Sequence, residues 1–268
     1  MRIHDISYHV EVSGSGDPLL LLHGFTGSSQ NWKPLVSALQ GEFQVIAPDL
    51  LGHGRTDAPD DPGRYAMALA AADLIAILEA LAVKPVSLLG YSMGGRLALY
   101  LATHYPHYVK RLVLESASPG LELAADRAQR QLADDALAQQ IEDNGIDWFV
   151  NYWEQIPLFA TQHNLSKSQR NFVRQQRLLN SPTGLANSLR GMGTGVQPSL
   201  WRDLGQLNMP VLLITGRLDT KFTALAGQMA SALPQVEIVT LDQAGHTVHL
   251  EMPEAYVSTV AEFLTAHA

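Results

Sequence analysis

Short apolar runs recur along this chain, and stretches of helical spacing separate them. Residues 19–22 are four leucines in succession, and a run without polar alternation is that of a strand buried on both faces. Similar runs lie at 43–47, 86–89, 109–114, 211–215 and 236–241. Ile3, Tyr8, Val10 and Val12 suggest an earlier strand region, which the turn residues Gly14-Ser15-Gly16-Asp17-Pro18 close. Helical periodicity marks 32–39, 66–81, 96–104, 223–233 and 253–267, the last opening on Pro253, where proline suits a first turn. Strands that alternate with helices in this way predict an α/β fold with a mostly parallel sheet covered on both faces. The alternation stops near Ser118 and resumes after Asp203. The intervening segment reads as helical, is richer in Gln, Asn and Arg, and is punctuated at Gly145, Pro157, Pro182 and Gly184. The expected organisation is a core in two parts, 1–117 and 204–268, interrupted by a helical cap at 118–203.

One junction in this pattern carries chemistry. Gly90-Tyr91-Ser92-Met93-Gly94-Gly95 falls between a strand and a helix, which is the G-x-S-x-G turn in its required setting. A serine raised on so tight a turn needs small neighbours, and the helix behind it points free N–H groups and a positive dipole end at the site. Serine is weak alone and needs a base. His246, in Ala244-Gly245-His246, follows the last strand and precedes the last helix. The base needs a carboxylate to orient it. Asp219, just after the 211–215 strand, is favoured because its loop adjoins the histidine's strand, and Glu115 is the competing acid. His249 makes a histidine pair with His246, but no third acidic ligand is placed to complete a metal site, so none is expected. His23-Gly24-Phe25 follows the first buried strand, which nominates the backbone N–H groups of Phe25 and Met93 as an oxyanion hole. The turn Asp49-Leu50-Leu51-Gly52-His53-Gly54-Arg55 reads as structural.

Composition narrows the partners. The 268 residues are 46% hydrophobic and 16% charged, too apolar for a disordered chain. A formal net charge of -8 argues against nucleic acid as a partner. The absence of cysteine removes disulfides, thiolate ligands and a cysteine nucleophile. The opening residues, Met1-Arg2-Ile3-His4-Asp5, lack a signal peptide's apolar run. The most apolar long stretch, 66–83, contains Asp73 and Glu79 and reads as a buried helix, not a membrane span. A cytoplasmic protein without a membrane partner is expected, with a monomer plausible. No cofactor motif appears.

The order Ser92, Asp219, His246 is that of the α/β-hydrolase fold. Finer features narrow the resemblance. Arg96 follows the double glycine of the elbow, the acid sits in Asp219-Thr220-Lys221-Phe222, and the insertion carries Arg127, Arg130, Arg170, Arg174, Arg177, Arg190 and Arg202. Ser118-Pro119-Gly120-Leu121, Tyr152-Trp153 before Pro157-Leu158-Phe159, and Val196-Gln197-Pro198 add to these. Together they resemble the 2-succinyl-6-hydroxy-2,4-cyclohexadiene-1-carboxylate (SHCHC) synthases of menaquinone biosynthesis. The resemblance implies a lyase that eliminates pyruvate from an enolpyruvyl cyclohexene, with Ser92, His246 and Asp219 acting as a base and without an acyl-enzyme or a cofactor. It implies a small substrate bearing several carboxylates, held by Arg96, Arg130 and Arg177, in a pocket shaped by Tyr91, Tyr152 and Trp153. A carboxylesterase or carbon–carbon bond hydrolase would share the triad without requiring the cations. A non-catalytic small-ligand receptor would share the fold alone.

Overall fold

The computed structural model describes residues 1–267; Ala268, the last residue of the second core segment, lies outside them. β1 (Arg2–Ile3) and β2 (Ile6–Ser7) pair as a small antiparallel hairpin. The main sheet contains β3 (Val10–Ser13), β4 (Asp17–Leu22), β5 (Phe43–Pro48), β6 (Val86–Tyr91), β7 (Val109–Glu115), β8 (Val211–Gly216) and β9 (Val236–Leu241), in the spatial order β3-β5-β4-β6-β7-β8-β9. β3 pairs antiparallel with β5, and every other pairing is parallel. The helices are α1 (Lys33–Leu39), α2 (Met67–Ala80), α3 (Met93–His104), α4 (Ala124–Trp153), α5 (Lys167–Leu178), α6 (Pro182–Met192), α7 (Thr220–Ala230), α8 (Val248–Glu251) and α9 (Pro253–Ala266).

The twofold period of the strands splits each apolar run between two layers. Leu20, Leu22, Leu88, Leu112 and Leu213 join a core with residues of α2, α3 and α7. Leu19, Leu21, Leu89, Val113 and Leu212 join a second core with residues of α1 and α9. Among the described residues no strand lies between β7 and β8; α4, α5 and α6 fill that interval. α4 and α6 close a separate apolar cluster through Ala138, Ile141, Phe149, Leu185 and Leu189. Gly145 breaks α4 with φ +78.

The expected boundaries shift where local chemistry overrides periodicity. β4 starts at Asp17 rather than 19, because Pro18 is tolerated at a strand's first residues and pairs opposite Gln44. α7 starts at Thr220 rather than 223, because the Asp219 carboxylate caps the Phe222 amide at 3.2 Å. α3 begins at Met93, directly after the elbow serine, rather than at 96. The short α8 had no counterpart in the sequence pattern.

The parallel strands end together, and the chain carries Phe25, Ser92, Asp219 and His246 on the segments just beyond β4, β6, β8 and β9. Open α/β sheets place their crevice at these strand ends. The elbow between β6 and α3 is very close-packed. A Cβ on Gly90 would stand 2.4 Å from Gly94 O, and one on Gly94 would stand 2.2 Å from Leu22 O. Both contacts are with backbone, which cannot swing away. Gly90→Ala should therefore lower stability by about 2 kcal/mol or more, read from urea unfolding. A loss below about 0.5 kcal/mol would mean that the elbow relaxes freely.

Candidate active site

Ser92 adopts φ +50, a conformation that costs energy for any residue with a side chain. The turn is held because Ser92 N donates to Glu115 O at 2.9 Å and Arg96 N donates to Ser92 O at 2.9 Å. His246 places Nε2 3.0 Å from Ser92 Oγ and Nδ1 2.6 Å from Asp219 Oδ2. A carboxylate only accepts, so Nδ1 carries the hydrogen and Nε2 is free to accept from the serine. His246 and Asp219 are buried, and the rings of Phe222, Tyr91 and Phe159 surround the imidazole at centroid distances of 4.6, 5.5 and 6.1 Å. The two candidate acids take different histidine partners. Glu115, fully buried, accepts from His249 N at 3.0 Å and from His249 Nδ1 at 2.9 Å, and leaves His246 to Asp219. Among the described residues no three His, Cys, Asp or Glu side chains converge as a metal would require.

Among the described residues, no internal acceptor takes the amides of Phe25 and Met93. The Phe25 loop is braced by His23, whose Nδ1 donates to Gly24 O at 2.8 Å while Nε2 accepts from Leu50 N at 2.9 Å. Burial lowers the pKa of His23 and keeps it neutral in this role. Asp49 ties the Gly-rich turn by accepting from Ser29 N at 2.7 Å and Arg55 N at 2.8 Å, as its structural reading requires.

Ser92 and His246 open into a cleft of about 250 Å³. Its wall carries Arg96, Arg130 and Lys221 and, among the described residues, no carboxylate. A chain of net charge -8 thus presents a locally cationic cleft. Burial draws the Arg96 guanidinium down to about 10, with the Arg130 charge adding to the effect and Asp134 opposing it. It stays charged at neutral pH. Arg130 Nε donates to Asp134 Oδ1 at 2.7 Å, and its side chain is 44% exposed.

The sequence pattern described as the alpha/beta hydrolase fold matches residues 17–253. A Bacillus subtilis (strain 168) protein, provisionally named 2-succinyl-6-hydroxy-2,4-cyclohexadiene-1-carboxylate synthase, is 45% identical over 96% of this chain and 93% of its own. The protein of that name from Serratia proteamaculans (strain 568) is 32% identical over 92% of each chain. The solved structure of MenH from S. aureus superposes with a TM-score of 0.92 at 35% identity, over 97% of this chain and 98% of that one. The chain belongs to the SHCHC synthase branch of the α/β-hydrolase family.

In this family member the remaining candidates separate. Trp153 lines the cleft and packs on Phe25, Phe149 and Phe159 at 5.4, 5.4 and 5.7 Å, with an indole N–H that has no internal acceptor. Tyr91 lines the cleft with its ring, while its hydroxyl is engaged with Thr247 Oγ1 at 2.9 Å. Tyr152 lies outside the cleft, 44% exposed and stacked on Trp148 at 5.5 Å. Consecutive helical residues face about 100° apart, so adjacent aromatics could not both face inward. Arg177 does not line this cleft but lines a small adjoining pocket with Phe25, Tyr91, Phe159 and Gln162, its guanidinium 5.0 Å from the Phe159 ring and NH2 donating to Gln162 Oε1 at 3.1 Å. Lys221 lies two residues after the acid in sequence and is not among the expected substrate-binding residues. It is a cation of the cleft, 5.6 Å over the Phe222 ring.

His53 packs under Phe25 at 5.7 Å, donates from Nδ1 to Leu51 O at 3.0 Å, and leaves Nε2 buried without a partner. Burial, reinforced by neighbouring His23, holds its pKa at about 3. The unfolded chain therefore takes up this proton first, near pH 6.5. The resulting stability is complete above that pH and falls as pH drops toward 3. His53→Asn, which keeps a donor near Nδ1 and removes the titration, should flatten the pH 4–7 dependence of the urea midpoint. An unchanged slope would assign the acid sensitivity to other groups.

Proposed function

We propose that this protein eliminates pyruvate from 2-succinyl-5-enolpyruvyl-6-hydroxy-3-cyclohexene-1-carboxylate to give 2-succinyl-6-hydroxy-2,4-cyclohexadiene-1-carboxylate, a lyase step of menaquinone biosynthesis. The observation that carries the reading is a serine–histidine–aspartate array opening into a cleft whose wall, among the described residues, has three cations and no acid. A substrate with several carboxylates needs such a wall, whereas a neutral ester does not. The names of the relatives support the same choice.

In this mechanism Ser92 Oγ passes its proton to His246 Nε2 and takes one from the substrate ring. Asp219 stabilises the imidazolium that forms. The C2–H electron pair becomes the C2=C3 double bond, the C3=C4 pair moves to C4=C5, the C5–O bond breaks, and enolpyruvate leaves, takes up the proton that His246 gained and ketonises to pyruvate. Negative charge develops on the substrate beside the reacting carbon. The Phe25 and Met93 N–H groups, which have no internal acceptor among the described residues, stabilise it. Arg96, Arg130 and Lys221 hold the carboxylates, and Trp153 and Tyr91 shape the apolar wall. Arg177 acts from the adjoining pocket as a charge rather than as a direct ligand. Residues 118–203 serve as the cap, since Arg130, Trp153 and Leu158 reach the cleft from that segment. We place the reaction in the cytoplasm. Among the described residues no helix is long and apolar enough to cross a membrane.

The test is pyruvate release by the purified protein from that substrate, set against the uncatalysed elimination. Release well above background is expected. Release at the background rate would overturn the lyase reading, and ester turnover in its place would favour a hydrolase.

A further inference from the structure

Among the described residues Arg96 is anchored by neutral acceptors, without a carboxylate hydrogen-bonded to it. NH1 donates twice, to Met192 O and to Gln197 Oε1, each at 2.8 Å. Both acceptors are neutral, and both hydrogens of NH1 are used. Asp134, the carboxylate that bears on Arg96, takes its hydrogen bond from Arg130 and none from Arg96. Among the described residues Arg96 has no ion pair. NH2 and Nε remain for the cleft that Arg96 lines.

Gln197 is 1% exposed and is fixed through its backbone, with N donating to Gly193 O at 3.0 Å. Its orientation is not ambiguous, because a guanidinium only donates and must face the amide oxygen. Among the described residues the other end of the same amide, Nε2, has no partner and is buried against Gly120. A half-satisfied buried amide destabilises the fold relative to an apolar side chain of that size. Aiming Arg96 accounts for its presence. A carboxylate at this position would hold the guanidinium equally well and would neutralise it.

We propose that Gln197 is a positioning residue that aims Arg96 at a substrate carboxylate while leaving the guanidinium charge available to it. The inference rests on the cleft being a site for a carboxylate-bearing ligand. It extends that reading to a residue outside the cleft wall.

Gln197→Glu and Gln197→Met test it together. Glu keeps the size and adds a counter-charge; Met keeps the bulk and removes the acceptor. With the enolpyruvyl substrate, Gln197→Glu should raise KM about 100-fold with kcat changed less than about fivefold. Gln197→Met should raise KM only about tenfold, because Met192 O still anchors NH1. Labelling of Ser92 by a neutral fluorophosphonate should proceed at the wild-type rate in both. An unchanged KM in Gln197→Glu, a larger rise in Gln197→Met than in Gln197→Glu, or an equal loss of fluorophosphonate labelling would each overturn the proposal. If the wild-type protein releases no pyruvate, succinate binding by saturation-transfer NMR replaces KM. Weaker succinate binding in Gln197→Glu than in Gln197→Met then supports the role, and equal binding overturns it. The lyase reading can thus fail without deciding this one.

Discussion

Replacing Ser92 with alanine should lower kcat for pyruvate release by roughly 10³- to 10⁵-fold while KM stays within a few-fold of wild type. The substitution removes the Oγ that stands 3.0 Å from His246 Nε2, and with it the hydroxyl that the proposed mechanism uses to exchange a proton with the substrate. It leaves Arg96, Arg130 and Lys221 in place, so binding should persist. It also leaves the Phe25 and Met93 amides, which is why activity should remain above the uncatalysed rate. His246→Ala should cause a similar loss, and the double variant little more, because groups that act as one unit are not additive. Steady-state pyruvate release with matched circular dichroism spectra makes the measurement. A Ser92→Ala kcat within tenfold of wild type would remove Ser92 from the chemistry and leave His246 as the base acting alone.

Arg96→Ala should produce the largest loss in binding. Truncating one partner of a desolvated charge pair costs about 2–5 kcal/mol, or roughly 30- to 4,000-fold in KM. Arg96 qualifies because its pKa is already drawn down by burial, and among the described residues its side chain's acceptors are the neutral Met192 O and Gln197 Oε1. Arg96→Lys should recover only part of the loss, since an ammonium cannot donate to those two acceptors and to a carboxylate in the same planar fork. The variant also leaves two acceptors unpaired, at about 1–3 kcal/mol of stability, so thermal unfolding must be followed beside kinetics. Turnover of a neutral ester, if detectable, should not respond. A KM within threefold of wild type would mean that the substrate's carboxylates lie against Arg130 and Lys221 alone.

The sequence by itself determined the layers of this protein and the chemistry at their junctions. Continuous apolar runs such as 19–22 and 211–215 have no polar face to give to water, so they form the buried middle of a sheet. The G-x-S-x-G turn, the histidine after the last strand and the acid after β8 were legible because each needs a particular residue type at a particular strand end. Side-chain direction was not legible. Glu115 and Asp219 both follow strands, and only the packing that gives Glu115 to His249 leaves Asp219 for His246. Tyr152 and Trp153 are neighbours in sequence, yet the helix turns one to solvent and the other into the cleft. Arg177 and Lys221 differ for the same reason: Arg177 lines an adjoining pocket beside Phe25 and Tyr91, while Lys221, two residues from the acid, lines the cleft itself. Periodicity fixes which face of an element is apolar, because burial is a property of the residue and its spacing. Which polar groups meet depends on how distant segments pack. Hydrogen-bond partners such as Gln197 for Arg96 lie about a hundred residues apart and carry no local signal.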